Sequence, residues 1–329
     1  MPFNRPLVLL LLALLLGAAW WRLRPEPGFL QRTQLLMGTT VTVEAAGSDR
    51  SRLEAAVTAA FAEMARIEAL MSPHRPDSDV SRLSASMREA TVTAETAEVI
   101  SAGLELARRS GGAFDLTLGR LKALWGIEDE IPRIPNASEI AEALQGVGID
   151  ALTVDGTVVR KADSRLAVDL GAIAKGYAVD RALAVLRSFG VDSAAVNAGG
   201  DIGLLGGKQN RPWRIGVQHP RQPGEVLVTL EVRDRAVVTS GDYERFFERD
   251  GRRYHHLFDP HSGYPADRCQ SVTVLAPNAM LADALATALF VLGPEAGLAL
   301  LHDYPGVDAL IVAADGRWHT TPALAALKR

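Results

Sequence analysis

Between residues 151 and 275 the chain is a succession of short β-like runs (151–159, 166–170, 193–197, 213–218, 226–232, 236–240, 252–258 and 271–276), with one helical interruption over about 172–188. Strands that follow one another so closely pair as antiparallel neighbours, because a parallel pair needs a long crossover. Around this block the periodicity predicts a strand at 39–43 and a helix with Leu53, Val57, Phe61, Met64 and Ile67 on one face. Further helices are expected over 95–109, 138–145, 278–292 and 294–303, and a strand over 308–313, while the polar stretches 72–86 and 128–137 read as loops. The order is that of an α+β protein with mixed, largely antiparallel sheets and packed helices in one large body, residues 33–329.

Ahead of that body, residues 7–21 carry no charge and follow Arg5. As a helix this run reaches about 22 Å, short of the ~30 Å hydrocarbon core. A basic start, a leucine-rich run and the small residues Gly17, Ala18 and Ala19 have the pattern of an export signal. Cleavage after Ala19 is one outcome; Trp20 and Trp21 also suit the interfacial belt of a retained anchor. Residues 1–24 are therefore read as a signal peptide or membrane anchor and 25–32 as a linker. The expected location is the periplasmic side of the inner membrane. No cysteine follows the run, so it is not a lipid-attachment site.

Charge narrows the partners. The 329 residues have a net charge of −4, and all three charges before residue 25 are arginines (Arg5, Arg22, Arg24), so the body alone is more acidic still. Such a body lacks the basic face that a nucleic acid needs. The single cysteine, Cys269, leaves no intrachain disulfide and no cysteine-clustered zinc site.

Three segments carry chemistry. In Val168-Asp169-Leu170-Gly171-Ala172-Ile173-Ala174-Lys175-Gly176-Tyr177, a β-like run meets a glycine turn and a helix start bearing Lys175. Helix-start N–H groups and a lysine favour an anion, although a strand–glycine–helix junction also arises from ordinary packing. In Leu281–Leu289 an apolar helix holds one carboxylate, Asp283, and one hydroxyl four residues on, Thr287, both on one face. A carboxylate there must be paired or metal-bound, and hard oxygen donors suit Mg²⁺; the alternative is that Asp283 serves the helix dipole and Thr287 fills space. In Tyr254-His255-His256-Leu257-Phe258-Asp259-Pro260-His261, alternation puts His255 and His256 on opposite faces, where one can move a proton and the other satisfy the core.

Taken in order with Met37-Gly38-Thr39, Gly112-Ala113-Phe114-Asp115, Asn197 to Asp201 and Thr239 to Phe246, these segments resemble the ApbE family, the FAD:protein FMN transferases. The resemblance implies that Met37 contacts the flavin nucleotide, that Ala113, Phe114 and Asp115 line its site, and that Asp169, Lys175 and the Leu257 backbone hold FAD. It implies Mg²⁺ on the Ala172 carbonyl, the Asp283 carboxylate and the Thr287 hydroxyl, with His256 as the base. At His74, members of the family often carry a flavin-stacking aromatic; imidazole stacks more weakly. The implied reaction moves FMN from FAD to a threonine of an exported redox-complex protein and releases AMP. Two other readings remain at this level: a Mg²⁺-dependent FAD pyrophosphatase giving FMN and AMP, and a non-catalytic flavin-binding envelope protein.

The export reading has its own test. A reporter fused after residue 30 is expected outside the cytoplasm, and activity confined to the cytoplasm would overturn it.

Overall fold

The computed structural model describes residues 28–209 and 211–328; the leader lies outside the described residues. The chain runs β1 (Gly28–Leu36), β2 (Thr39–Gly47), α1 (Arg50–Met71), α2 (Asp79–Ala85), β3 (Glu89–Thr91), α3 (Ala94–Arg109), α4 (Gly119–Trp125) and α5 (Ala137–Ala143). It continues through β4 (Leu152–Asp155), β5 (Val158–Lys161), α6 (Ala174–Ser188), β6 (Ser193–Ala198), β7 (Asp201–Leu205), β8 (Trp213–Gln218) and β9 (Val226–Val232). It ends with β10 (Ala236–Gly241), β11 (Phe246–Arg249), β12 (Arg252–His255), β13 (Cys269–Ala276), α7 (Ala279–Leu292), α8 (Pro294–Leu300), β14 (Asp308–Ala313) and β15 (Trp318–Thr320).

Eight strands join in one sheet, ordered β1-β2-β6-β7-β10-β13-β14-β15, with every neighbouring pair antiparallel. The two-residue period of a strand sends alternate side chains to opposite faces, and two cores result. Val238, Val272, Val274, Ala309 and Ile311 face the helical side with α1, α6 and α7. Val237, Leu275 and Leu310 face the other side, where the β8–β9 ribbon supplies Trp213, Val217, Leu230 and Val232. The mixed, antiparallel α+β expectation holds. On α1 the stripe read from the sequence is buried, with Ala56 and Ala60 added to it.

Elsewhere tertiary context overrides local pattern. Residues 28–32, expected as linker, begin β1. The polar stretch 72–86 contains α2, because the Ser78 hydroxyl caps Ser81 N–H at 2.9 Å. Its Asp79 is buried, accepting from Thr93 N and Oγ1 and from Thr96 Oγ1. The run 151–159 folds as a hairpin, β4–β5, about Gly156. Residues 166–170 form no ladder; their one bridge is parallel, Ala167 to Leu118.

The site is positioned by the α6–α7 contact. A Cβ at Gly176 would clash with the Ala279 carbonyl oxygen and stand 2.6 Å from its carbon, so only glycine lets the helices meet here. Asp180 of α6 accepts from Ala279 N (2.7 Å) and Met280 N (2.8 Å), and so caps α7. Asp283 of α7 accepts in return from Gly176 N at 3.0 Å. For Gly176→Ala, helix propensity alone predicts a gain of about 1 kcal/mol. The clash is with backbone, so overpacking of about 1–3 kcal/mol should win. We expect a lower denaturant midpoint; a higher one would mean that the helices are not in this contact.

Candidate functional site

Two groups of side chains flank residues 169–176, the chemical segment that enters α6. At the helix end, Asp283 is only 3% exposed although it carries a carboxylate. Lys175 Nζ reaches Asp201 Oδ2 at 2.7 Å, and Asp201 is itself buried at the start of β7. Burial, together with the Asp201 carboxylate beside it, pushes Asp283 up to about 8 against the pull of Lys175 and Gly176 N–H. Burial opposes the Lys175 charge, yet Asp201 and Asp283 hold its ammonium above the ordinary lysine value. Two buried carboxylates thus share one ammonium, and Glu244 adds a third negative field. The group is short of a cation and its donors are hard oxygens, a combination that fits Mg²⁺. Ala172 lies two residues before α6 and Thr287 one turn beyond Asp283, half-buried. Among the described residues no three or more His, Cys, Asp and Glu side chains converge as a metal cage. The expected donor set contains one carboxylate.

At the other end, Asp169 Oδ1 accepts from Lys122 Nζ at 2.5 Å and from Gly171 N at 2.9 Å. Burial works against the Asp169 charge, but Lys122, the Gly171 N–H and nearby His74 prevail and hold the carboxyl below its usual range. His256 stands within the field of Lys122, just past the end of β12. Burial, then Arg245, Lys122 and His255, drive its imidazole well below 6.5, so it is neutral. Its Nδ1 lies 3.4 Å from the Arg245 carbonyl. That network assigns the proton to Nδ1 and leaves the Nε2 lone pair to accept another.

The two histidines divide as alternation predicts. His255 is buried, with Nε2 donating to Ala266 O at 2.8 Å, Nδ1 accepting from Leu257 N at 3.2 Å and its ring edge-on to Phe290. Its role is structural.

The remaining expected residues fall in varied places. Met37 occupies the two-residue β1–β2 turn at φ 54°, rare for a side chain with a Cβ, and its N–H donates to Glu68 Oε1 at 2.8 Å. Asp115 Oδ1 accepts from Thr117 N and Oγ1, while Oδ2 is buried with no partner, which is what a donor on a bound ligand would satisfy. Phe114 is 0% exposed and Ala113 is buried, so the Phe114 ring is core and only backbone there can face a flavin. Leu257 spends its N–H on His255 and accepts from Ala266 N at its carbonyl. His74 is exposed on the loop before α2.

Residues 37–311 match the ApbE family. The chain belongs to the ApbE family. A relative from Treponema pallidum, named FAD:protein FMN transferase, is 37% identical over 87% of this chain and 85% of its own length. One of the same name from Vibrio cholerae is 39% identical, covering 70% of this chain and 71% of its own. Among solved structures, the ApbE protein of Thermotoga maritima superposes with a TM-score of 0.84 at 35% identity, covering 92% of this chain and all of the other. The flavinyl transferase ApbE of Pseudomonas stutzeri, in its apo form, gives 0.78 at 36% identity, with 92% and 97% covered.

Three residues of this candidate site stand outside the expected set: Lys122, Asp180 and the carboxylate of Asp201. Asp201 had a signal, a lone charge between a glycine turn and an apolar strand. Lys122 had none, since its partner is 47 positions away.

His255 yields a pH prediction. Burial depresses it below 6.5, so it favours folding fully above 6.5 and this contribution is lost as pH falls through its folded-state value. In His255→Gln, whose amide can still donate to Ala266 O, stability should decline less steeply between about pH 6.5 and 5. Parallel denaturation curves for the two proteins across that interval would contradict a buried neutral His255.

Proposed function

We propose that this ApbE-family enzyme, whose relatives are named for flavin transfer to a protein, moves the FMN moiety of FAD onto a threonine hydroxyl of an exported partner, with AMP as the leaving group. One observation carries the reading: the seven residues from Asp169 to Lys175 join a carboxylate paired to Lys122, a lysine whose field also reaches the neutral His256 imidazole, to a cation-deficient junction of buried carboxylates. A dinucleotide diphosphate needs both ends, a base for the incoming hydroxyl and positive charge for its phosphates.

In this scheme His256 Nε2 takes the threonine proton, the threonine oxygen forms a bond to the FMN-side phosphorus, and the bond to the bridging oxygen breaks to release AMP. Asp115 Oδ2 and the 113–114 backbone would meet the flavin end, with Met37 at the turn beside it. The Ala172 carbonyl, Asp283 and Thr287 would hold Mg²⁺. The metal would neutralise phosphoryl oxygens and stabilise charge on the leaving phosphate. Lys175 secures Asp201 and, through it, the negative pocket that attracts the cation. Residues 7–21 would deliver the body to the periplasmic side of the inner membrane, where the acceptor resides.

The test is the mass of an acceptor bearing a candidate threonine, after incubation with FAD and Mg²⁺. We expect a gain of one FMN, no gain with EDTA and none with Asp283→Asn. His256→Ala should lower kcat by about 10²–10⁴-fold while FAD affinity holds. An unchanged acceptor with accumulating FMN would assign hydrolysis instead, and FAD recovered intact would leave a binding protein.

A further inference from the structure

The nearest lysine in sequence is not the one that pairs with Asp169. Lys175, six residues along, is committed to Asp201 and Asp283. The ammonium on Asp169 comes from α4, and how it arrives is legible in the packing. Trp125, one turn after Lys122, is fully buried; its ring packs on Tyr254 (centroids 5.6 Å apart) and Phe258 (5.8 Å), and its indole Nε1 donates to Gly263 O at 2.9 Å. These contacts clamp α4 onto the segments on either side of His256. The helix stops at Gly126 (φ 51°), whose N–H returns to Lys122 O. The backbone of 116–119 is tied to 167–169 by Asp169 N to Leu116 O (2.8 Å) and Gly119 N to Ala167 O (3.0 Å). Gly171 leaves the space where the two side chains meet: a Cβ there would stand 3.0 Å from Asp169 Oδ1 and 3.6 Å from Lys122 Nζ.

From this convergence we propose that Lys122 is a positioning residue of flavin transfer, turning the Asp169 carboxylate toward the dinucleotide through Oδ1 and setting the charge beside His256. Lys122 Nζ and Gly171 N–H both bind Oδ1, which leaves Oδ2 for the ligand. Of the cations that act most strongly on His256, Arg245 and Lys122, only Lys122 is also hydrogen-bonded to Asp169. Removing Lys122 would leave a carboxylate only 14% exposed without its cation, so a positioning role is distinguished from a structural one by ligand affinity and titration rather than by stability.

The role rests on the proposed transfer reaction, and its test separates the two. Full-length protein carrying Lys122→Met or Lys122→Arg would be examined without acceptor, for FAD binding and for the His256 imidazole titration by NMR, and with acceptor, for transfer against pH. In Lys122→Met we expect FAD affinity to fall about tenfold, the scale of one charge-assisted contact, and the His256 titration and the acid limb of kcat/KM to move upward together. Lys122→Arg should keep the wild-type titration, because the charge remains. Unchanged FAD affinity and His256 titration in the Met variant would overturn the proposal, as would an Arg variant that titrates like Met. Absence of transfer by the wild type would instead sink the parent reading, while the binding and titration arms still judge Lys122.

Discussion

Two helices, α6 and α7, cap one another. Asp180 of α6 satisfies the first N–H groups of α7, and Asp283 of α7 satisfies Gly176 N–H in the first turn of α6. Each carboxylate is placed where helix-start N–H groups and the helix dipole favour negative charge, which offsets part of the cost of burying it. Burial is the larger effect at Asp180, which is raised to about 6, and at Asp283, which is raised to about 8. The junction therefore holds more negative charge than its own donors stabilise. The mutual capping and the surplus of buried carboxylates are one arrangement, and the close approach at Gly176 is the condition for both.

The same economy of charge explains how an acidic protein can handle an anionic dinucleotide. With a net charge of −4 there is no global field to draw in FAD. Positive charge is instead placed locally by side chains from separate elements, each held by a carboxylate: Lys175 of α6 by Asp201, Lys122 of α4 by Asp169 and Arg245 beside β11 by Glu128. Their pairings differ in purpose. Lys175 is locked against Asp201 and Asp283, whereas Lys122 and Arg245 act on Asp169 and His256, keeping one ionised and the other neutral. Ionised and neutral states are set apart by which cation faces which group.

Much of this was readable before any coordinates. The stripe on α1, the span of β14 and the split between His255 and His256 follow from periodicity alone, because each depends on neighbours within one element. Asp283 was readable as an anomaly, a lone carboxylate in an apolar helix. What escaped the sequence depends on distant partners. The helix α2 hides in a polar stretch because its buried Asp79 is satisfied by Thr93 and Thr96, beyond the next strand. Phe114, expected at a flavin, packs wholly into the core, since an aromatic beside a site and one beneath it look alike in sequence. Lys122 lies in a helix whose position is decided by Trp125 meeting residues more than a hundred positions later.

That last dependence has a consequence for how the site is built. The large sheet fixes α6 and α7, whereas α4 packs in a separate aromatic cluster of Trp125, Tyr254, Phe258 and Tyr264. The 254–258 segment alternates between the two, with Tyr254 and Phe258 in the cluster and His255 and Leu257 against the main core. The site straddles these two packing units. Residues 169–176 are the covalent bridge between them, and Lys122–Asp169 is a side-chain bridge across the same gap. The carboxylates at the α6–α7 junction and the His256 imidazole are held in relative position by both bridges, together with the edge-on contact of His255 on Phe290 of α7. Such a bridge acts through the geometry and ionisation it imposes on its neighbours, here a largely buried carboxylate that stays ionised because Lys122 faces it.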